Sequence, residues 1–108
     1  MQKYGNKICI VDGIRFQSIK ESNRYLELKL LEKAGVIKEL TLQKSYILLD
    51  KCKIKGQANR AITYKADFEY VDIKEGLITE DCKGMRTEVY KIKKKLFEAK
   101  YGRLIREV

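Results

Sequence analysis

The chain has 108 residues, a formal net charge of +9, and no His, Pro or Trp. Its length fits one domain, and 44% apolar beside 36% charged content marks a globular rather than a disordered chain. Without histidine there is no Ser-His-Asp or Cys-His triad, no His-ligated metal and no Cys/His zinc finger.

Residues 8–11 and 14–16 are short apolar runs on either side of Asp12-Gly13. Asp-Gly readily takes the positive φ angles of a type I′ turn, so this segment reads as a hairpin. Ser18 followed by Glu21 is a capping box at a helix start. Leu26, Leu30, Leu31 and Ala34 then recur at helical spacing, and Gly35 stands where a C-cap glycine belongs. The spacing predicts a helix over 18–34 with those aliphatic residues buried.

Residues 37–49 suit a strand, best over 40–49, and the polar stretch 51–59 with Gly56 is a loop or hairpin tip. Two strands are predicted at 61–72 and 77–83, around a turn at Lys74-Glu75-Gly76. A second helix follows over 87–101. Val89, Ile92, Leu96 and Ala99 are its expected buried stripe, with Lys91, Lys94, Lys95 and Glu98 opposite. Gly102 ends it, and 104–108 adds a last strand. This order describes an α+β (mixed α/β) fold, a central mixed sheet flanked by two helices, within a single domain over 1–108.

Cys9, Cys52 and Cys82 are odd in number and widely spaced, which argues against a disulfide framework or a zinc site and fits a reducing cytoplasm. No apolar run approaches the ~18 residues of a membrane span. The start of the chain is not a signal peptide, so the protein is expected to remain where it is made. The positive charge is uneven. Residues 83–108 hold nine Lys/Arg against three acids, a net of +6. Such a tail is either a solvated lysine-rich helix or the footprint of a polyanionic partner, most simply nucleic acid.

Strand 61–72 alternates. Ile62, Tyr64, Ala66, Phe68 and Tyr70 form a core face, while Thr63, Lys65, Asp67 and Glu69 point the other way. Mid-strand is a poor place for Asp by propensity. On the next strand Asp81 and Lys83 share a face, and Cys82 and Glu80 point away from it. In a hairpin, neighbouring backbones lie about 4.8 Å apart, so Asp67 and Asp81 converge if the register allows. Two carboxylates at one point repel unless a cation lies between them. Oxygen ligands select a hard ion, Mg²⁺ or Mn²⁺. With Lys83 orienting or deprotonating a water, these parts suit metal-assisted phosphodiester hydrolysis. The alternative is an exposed cross-strand ion-pair cluster.

Glu21 is either purely a cap or a further carboxylate of the same cleft. Gln43, in mid-strand, either contacts the site or sits at a sheet edge. Cys82 reads as an ordinary small side chain. Tyr64 and Tyr70 read as core, and Tyr90 and Tyr101 as core or as base-stacking rings. Lys91, Lys94 and Lys95, with Arg86 nearby, are the candidates for phosphate contacts.

Asp67, then Asp81-Cys82-Lys83, with Glu21 upstream on a helix, resembles the PD-(D/E)XK nuclease superfamily. The stretches VDGIRFQSIKESNRYLELKLLEKAGVIKELTLQ, RAITYKADFEY and TEDCKGMRTEVYKIKKKLFE look like a family of small phage and prophage proteins within it. The resemblance implies a restriction-endonuclease-like core and Mg²⁺-dependent DNA cleavage in a bacterial host cytoplasm. It implies Asp67 and Asp81 as metal ligands, the Cys82 carbonyl as a third, Lys83 at the attacking water, and Glu21 as the helix glutamate that Holliday-junction resolvases bring to the metal. Ala66 stands where a proline is common, and Asp81 where Glu is more frequent.

Three functions follow as expectations. The first is a small metal-dependent DNA endonuclease acting in phage recombination or on branched DNA, with a homodimer expected from its size. The second is a basic DNA-binding protein without catalysis. The third is an interaction protein that inhibits a host enzyme. Acids on a binding face repel the DNA backbone, so Asp67 and Asp81 favour the first.

Overall fold

In the computed structural model, which describes residues 7–82 and 86–108, the Asp12-Gly13 turn joins β1 (Cys9–Val11) to β2 (Ile14–Phe16). Both turn residues take positive φ, 53° and 75°, as the dipeptide predicts. Helix α1 (Ile19–Lys33) begins at Ser18, whose hydroxyl accepts the Glu21 amide at 3.1 Å. It ends where Gly35 turns left-handed, with the Gly35 and Val36 amides closing on the Glu32 and Leu31 carbonyls at 3.1 and 3.0 Å. A side chain is strained in that conformation, so glycine sets the helix length.

Strand β3 (Ile37–Leu49) leads into a separate hairpin of β4 (Cys52–Ile54) and β5 (Gln57–Asn59), turned at Lys55-Gly56. Strands β6 (Ile62–Asp72) and β7 (Gly76–Asp81) follow, joined by a turn in which the Asp72 carboxylate accepts the Lys74 and Glu75 amides at 2.8 and 3.0 Å. Helix α2 (Glu88–Tyr101) starts on Thr87, which caps the Tyr90 amide at 3.1 Å, and stops at left-handed Gly102 before β8 (Ile105–Glu107). The sheet order is β3-β6-β7-β8. The short turn makes β6 and β7 antiparallel. Helix α2 is the crossover that lets β8 run parallel to β7, with Thr79 opposite Ile105 and Asp81 opposite Glu107. The fold is therefore α+β with a mixed four-stranded sheet and two helices.

Contacts group the chain into two compact units, one running through Leu40 with Tyr70–Leu77, the other holding Thr41–Glu69 and Ile78–Val108; β3, β6 and β7 have residues in both. In the first unit the Tyr25 ring of α1 lies 5.1 Å from Phe16 of β2, and the Tyr25 hydroxyl donates to Asp12 at 2.9 Å. In the second, Leu48, Tyr64, Ala66, Tyr90, Phe97 and Ile105 form the core. Tyr46 meets the Phe97 ring edge-on at 4.9 Å, and Tyr101 lies 5.0 Å from it.

Both helices bury a different stripe from the one predicted. In α1, Tyr25 and Leu28 are buried while Leu26 and Leu30 are exposed, Leu30 at 69%. In α2, Tyr90 and Phe97 are buried, while Val89 and Ile92 are 61% and 58% exposed; Ala99 is exposed and Leu96 half-buried. The reason is area. Aromatic rings bury more surface per residue than Val, Ile or Leu. Tyr90 and Phe97, seven residues apart, stack on one face two turns along, so the helix turns that face inward.

Candidate functional site

Strand β6 behaves largely as its alternation predicts. Tyr64, Ala66, Phe68 and Tyr70 are buried, Thr63 and Lys65 are exposed, and Asp67 and Glu69 lie between; Ile62, at the strand's start, is exposed. Asp67 Oδ2 accepts the Cys82 backbone amide at 2.9 Å, and its Oδ1 lies 3.5 Å from the Gln43 side-chain nitrogen. One carboxylate thus spans β3, β6 and the residue after β7. Gln43 is one of two β3 residues with positive φ, 55°, the other being Glu39. Such a conformation is uncommon outside glycine, and here it coincides with a side chain that reaches the candidate site. Strand β3 is also the edge of the sheet, so Gln43 both approaches Asp67 and sits at a sheet edge.

Strand β7 does not alternate. Thr79, Glu80 and Asp81 are consecutive and all fully buried. It is an inner strand between β6 and β8, and a strand covered on both faces does not sort neighbours into inside and outside. Asp81 is therefore not on an open polar face, and Glu80, set aside by the alternation, is equally buried. The Tyr64 hydroxyl donates to Asp81 Oδ2 at 2.5 Å, the short distance typical of an O–H donor on a carboxylate. Burial, then that hydrogen bond and the Asp81 charge, hold the Tyr64 phenol protonated far above its ordinary range.

Glu107, at this end of the sheet, escapes the sequence reading, and it gathers Tyr90 and Arg86, which the sequence singles out for other roles. Glu107 sits across from Asp81 on β8. Tyr90 donates to Glu107 at 2.8 Å, and Arg86 pairs with the same carboxylate at 3.4 Å. Burial, the bond to Glu107 and the Asp81 charge push the Tyr90 phenol up as well. Its ring is buried, so Tyr90 is a core residue with a polar tip rather than a base-stacking ring. The available signal was tyrosine, rather than phenylalanine, at core positions near acids: a buried hydroxyl needs an acceptor.

Of the other predicted residues, Lys83 lies outside the described residues. Glu21 belongs to the first unit, largely buried at the third position of α1 with its amide on Ser18. Its capping position is as predicted. Cys82 is half-buried and spends its amide on Asp67. Arg86, Lys91, Lys94 and Lys95 line one open groove with Glu88 and Glu98. Lys91 pairs with Glu88 at 3.2 Å and Lys94 with Glu98 at 3.0 Å.

A family model described as "Protein of unknown function (DUF1064)" matches residues 1–107. The chain belongs to this family. No curated protein and no solved structure matches it. Among the described residues of this family member, no three Cys, Asp or Glu side chains form a group that could hold a metal ion. The pair Asp67 and Asp81 nevertheless has suitable donor chemistry. Both offer hard oxygen ligands, and the Asp67 carboxylate abuts the backbone step that follows Asp81. Mg²⁺ is commonly held by one or two carboxylates while keeping several waters, and two carboxylates are the donor type this pair offers, one of them, Asp81, fully buried. No helix among the described residues is long and apolar enough to cross a membrane.

Proposed function

We propose that the chain is a metal-dependent DNA endonuclease with a restriction-endonuclease-like core, hydrolysing phosphodiester bonds in branched or recombining DNA in a bacterial cytoplasm. The observation that carries this reading is the Cys82 amide on Asp67, which ties the acid of β6 to the residue after the buried Asp81. Asp67 and Asp81 would hold Mg²⁺ or Mn²⁺, with the Cys82 carbonyl as the further ligand the superfamily resemblance supplies. The ion, when bound, neutralises phosphate charge and acidifies a water. The chain's own residues do the rest. Tyr64 fixes the orientation of Asp81, and Gln43 and the Cys82 amide fix that of Asp67. Lys83 serves the attacking water. Arg86, Lys91, Lys94 and Lys95 meet phosphates, and two copies present two such sites.

A non-catalytic DNA-binding protein is the second reading. Full burial of Asp81 under Tyr64 favours it, because a carboxylate enclosed in this way serves structure equally well. The two separate on cleavage of a labelled four-way junction and its matching linear duplex, with Mg²⁺, with Mn²⁺ and with EDTA. Asp81→Asn and Asp67→Asn keep the shape of each side chain. Metal-dependent cutting lost in both variants, with binding retained, supports the nuclease. Tight binding without cutting under either metal leaves the DNA-binding protein.

A further inference from the structure

The hairpin of β4 and β5 is a two-stranded sheet of its own. Every residue from 49 to 63 is exposed. Residues 51–66 hold Lys51, Lys53, Lys55, Arg60 and Lys65 and no acid, and Asp50, just before them, is the one acid of the exposed stretch 49–63. None of Lys51, Lys53, Lys55 and Arg60 is ion-paired with a described residue.

The register sorts the hairpin into two faces. Cys52 pairs with Asn59, Lys53 with Ala58, and Ile54 with Gln57. Directly opposed residues share a face, and neighbours along a strand do not. One face therefore carries Cys52, Ile54, Gln57 and Asn59, all uncharged. Lys53 and Ala58 lie on the other, and continuing the alternation by one residue adds Lys51 and Arg60 to it. Lys55 stands at the turn with φ 50° beside Gly56 at 79°. The ribbon is thus cationic along one side and at its tip, with only the small Ala58 between the charges.

Charge of one sign, exposed and with little local counter-charge, is what a phosphate backbone attracts. A two-stranded ribbon has the width that the major groove of DNA admits. An isolated two-stranded hairpin is marginal in water. It also springs from the ends of β3 and β6, the strands that bear Gln43 and Asp67.

We propose that the β4–β5 hairpin is a DNA-gripping arm, which lays Lys51, Lys53, Lys55 and Arg60 on the phosphates of duplex flanking the candidate site. This rests on the reading that the partner is DNA, and it does not require that the DNA be cut. Gly56 lies eleven positions before Asp67, so the tip reaches at most ~40 Å from that residue. The grip falls within about one turn of duplex, ~34 Å.

The test is fluorescence anisotropy of a labelled duplex against salt, for the parent protein, for K51Q/K53Q/K55Q/R60Q and for K53Q alone. All four side chains are exposed, so circular dichroism and Tm of the variants should match the parent. Four lost phosphate contacts should reduce the slope of log K against log salt by ~3–4, and K53Q alone by ~1. Affinity at 0.1 M salt should fall by on the order of 1,000-fold or more. A slope unchanged in the fourfold variant overturns the arm even if Asp81→Asn abolishes cutting, in which case the nuclease stands without it. A parent protein that never cuts, but whose slope falls in the variant, leaves the arm and removes the nuclease. Preference of the parent for polyglutamate over duplex assigns the hairpin to an acidic protein surface and overturns the proposal.

Discussion

Helix α2 and the β4–β5 hairpin are both lysine-rich surfaces of the same unit, but they hold their charge in opposite ways. Each α2 cation that pairs finds its acid one turn away, Lys91 with Glu88 and Lys94 with Glu98. The hairpin has only Asp50, at its base beside Lys51, against Lys51, Lys53, Lys55 and Arg60. The helix is also anchored, with Tyr90 and Phe97 in the core, whereas every hairpin residue is exposed. A count of basic residues points to the C-terminal quarter because the count is higher there. Usable positive charge, however, is charge left over after local pairing, and Lys51, Lys53, Lys55 and Arg60 of the hairpin belong to it beside Lys93 and Lys95 of α2. Spacing explains the difference: three or four residues bring helical side chains together, while residues 51–60 carry only one sign.

The contrast in anchoring can be broken most forcefully at Phe97. Phe97→Ala empties a fully buried ring site and should cost about 3–5 kcal/mol in denaturant unfolding. Ile54→Ala on the hairpin, where the side chain is 60% exposed, should stay within about 0.5 kcal/mol. Comparable losses from the two substitutions would show that the hairpin is packed after all.

Tyr64→Phe comes next. It removes the donor to Asp81 while keeping the ring, and should cost about 1–3 kcal/mol because a buried carboxylate loses its hydrogen bond. An unchanged unfolding midpoint would mean that Asp81 does not need this phenol. Tyr64 and Tyr90 also set an alkaline limit. Their phenols are held above the ordinary value of 10.0 in the folded chain. Below pH 10 both folded and unfolded forms are protonated, and the stabilisation is complete. As pH rises past 10 the unfolded phenols ionise first, so stability falls. Tm measured from pH 8 to 12 should decline beyond 10, and less steeply in Tyr64→Phe.

The smallest effect lies in the paired charges. Lys94→Gln removes an i,i+4 partner of Glu98 and should cost about 0.3–0.5 kcal/mol, less in high salt. Lys53→Gln should leave stability unchanged and be read only in DNA affinity. Hydrogen exchange gives the same ordering without mutation: α2 amides protected toward the global unfolding free energy, hairpin amides exchanging locally.

Local chemistry was legible in the residues alone. Asp12-Gly13 made its turn, Ser18 capped the first helix, and Gly35 and Gly102 ended the two helices. These features depend on backbone angles and on hydrogen bonds a few residues long, which neighbouring residue types dictate. The alternation of β6 was legible too, and it exposed Asp67 as an acid out of place. Burial in the helices was not, because a spacing rule treats Leu26 and Tyr25 as equivalent candidates, while packing rewards the larger ring. Asp81 was named from its place beside Cys82 and Lys83, but its enclosure depends on β7 lying between two other strands. Its contacts with Tyr64, and the approach of Glu107 from β8, come from residues 17 and 26 positions away along the chain. Only the closed sheet brings such distant groups to one point, because no local spacing encodes which strand will lie next to which.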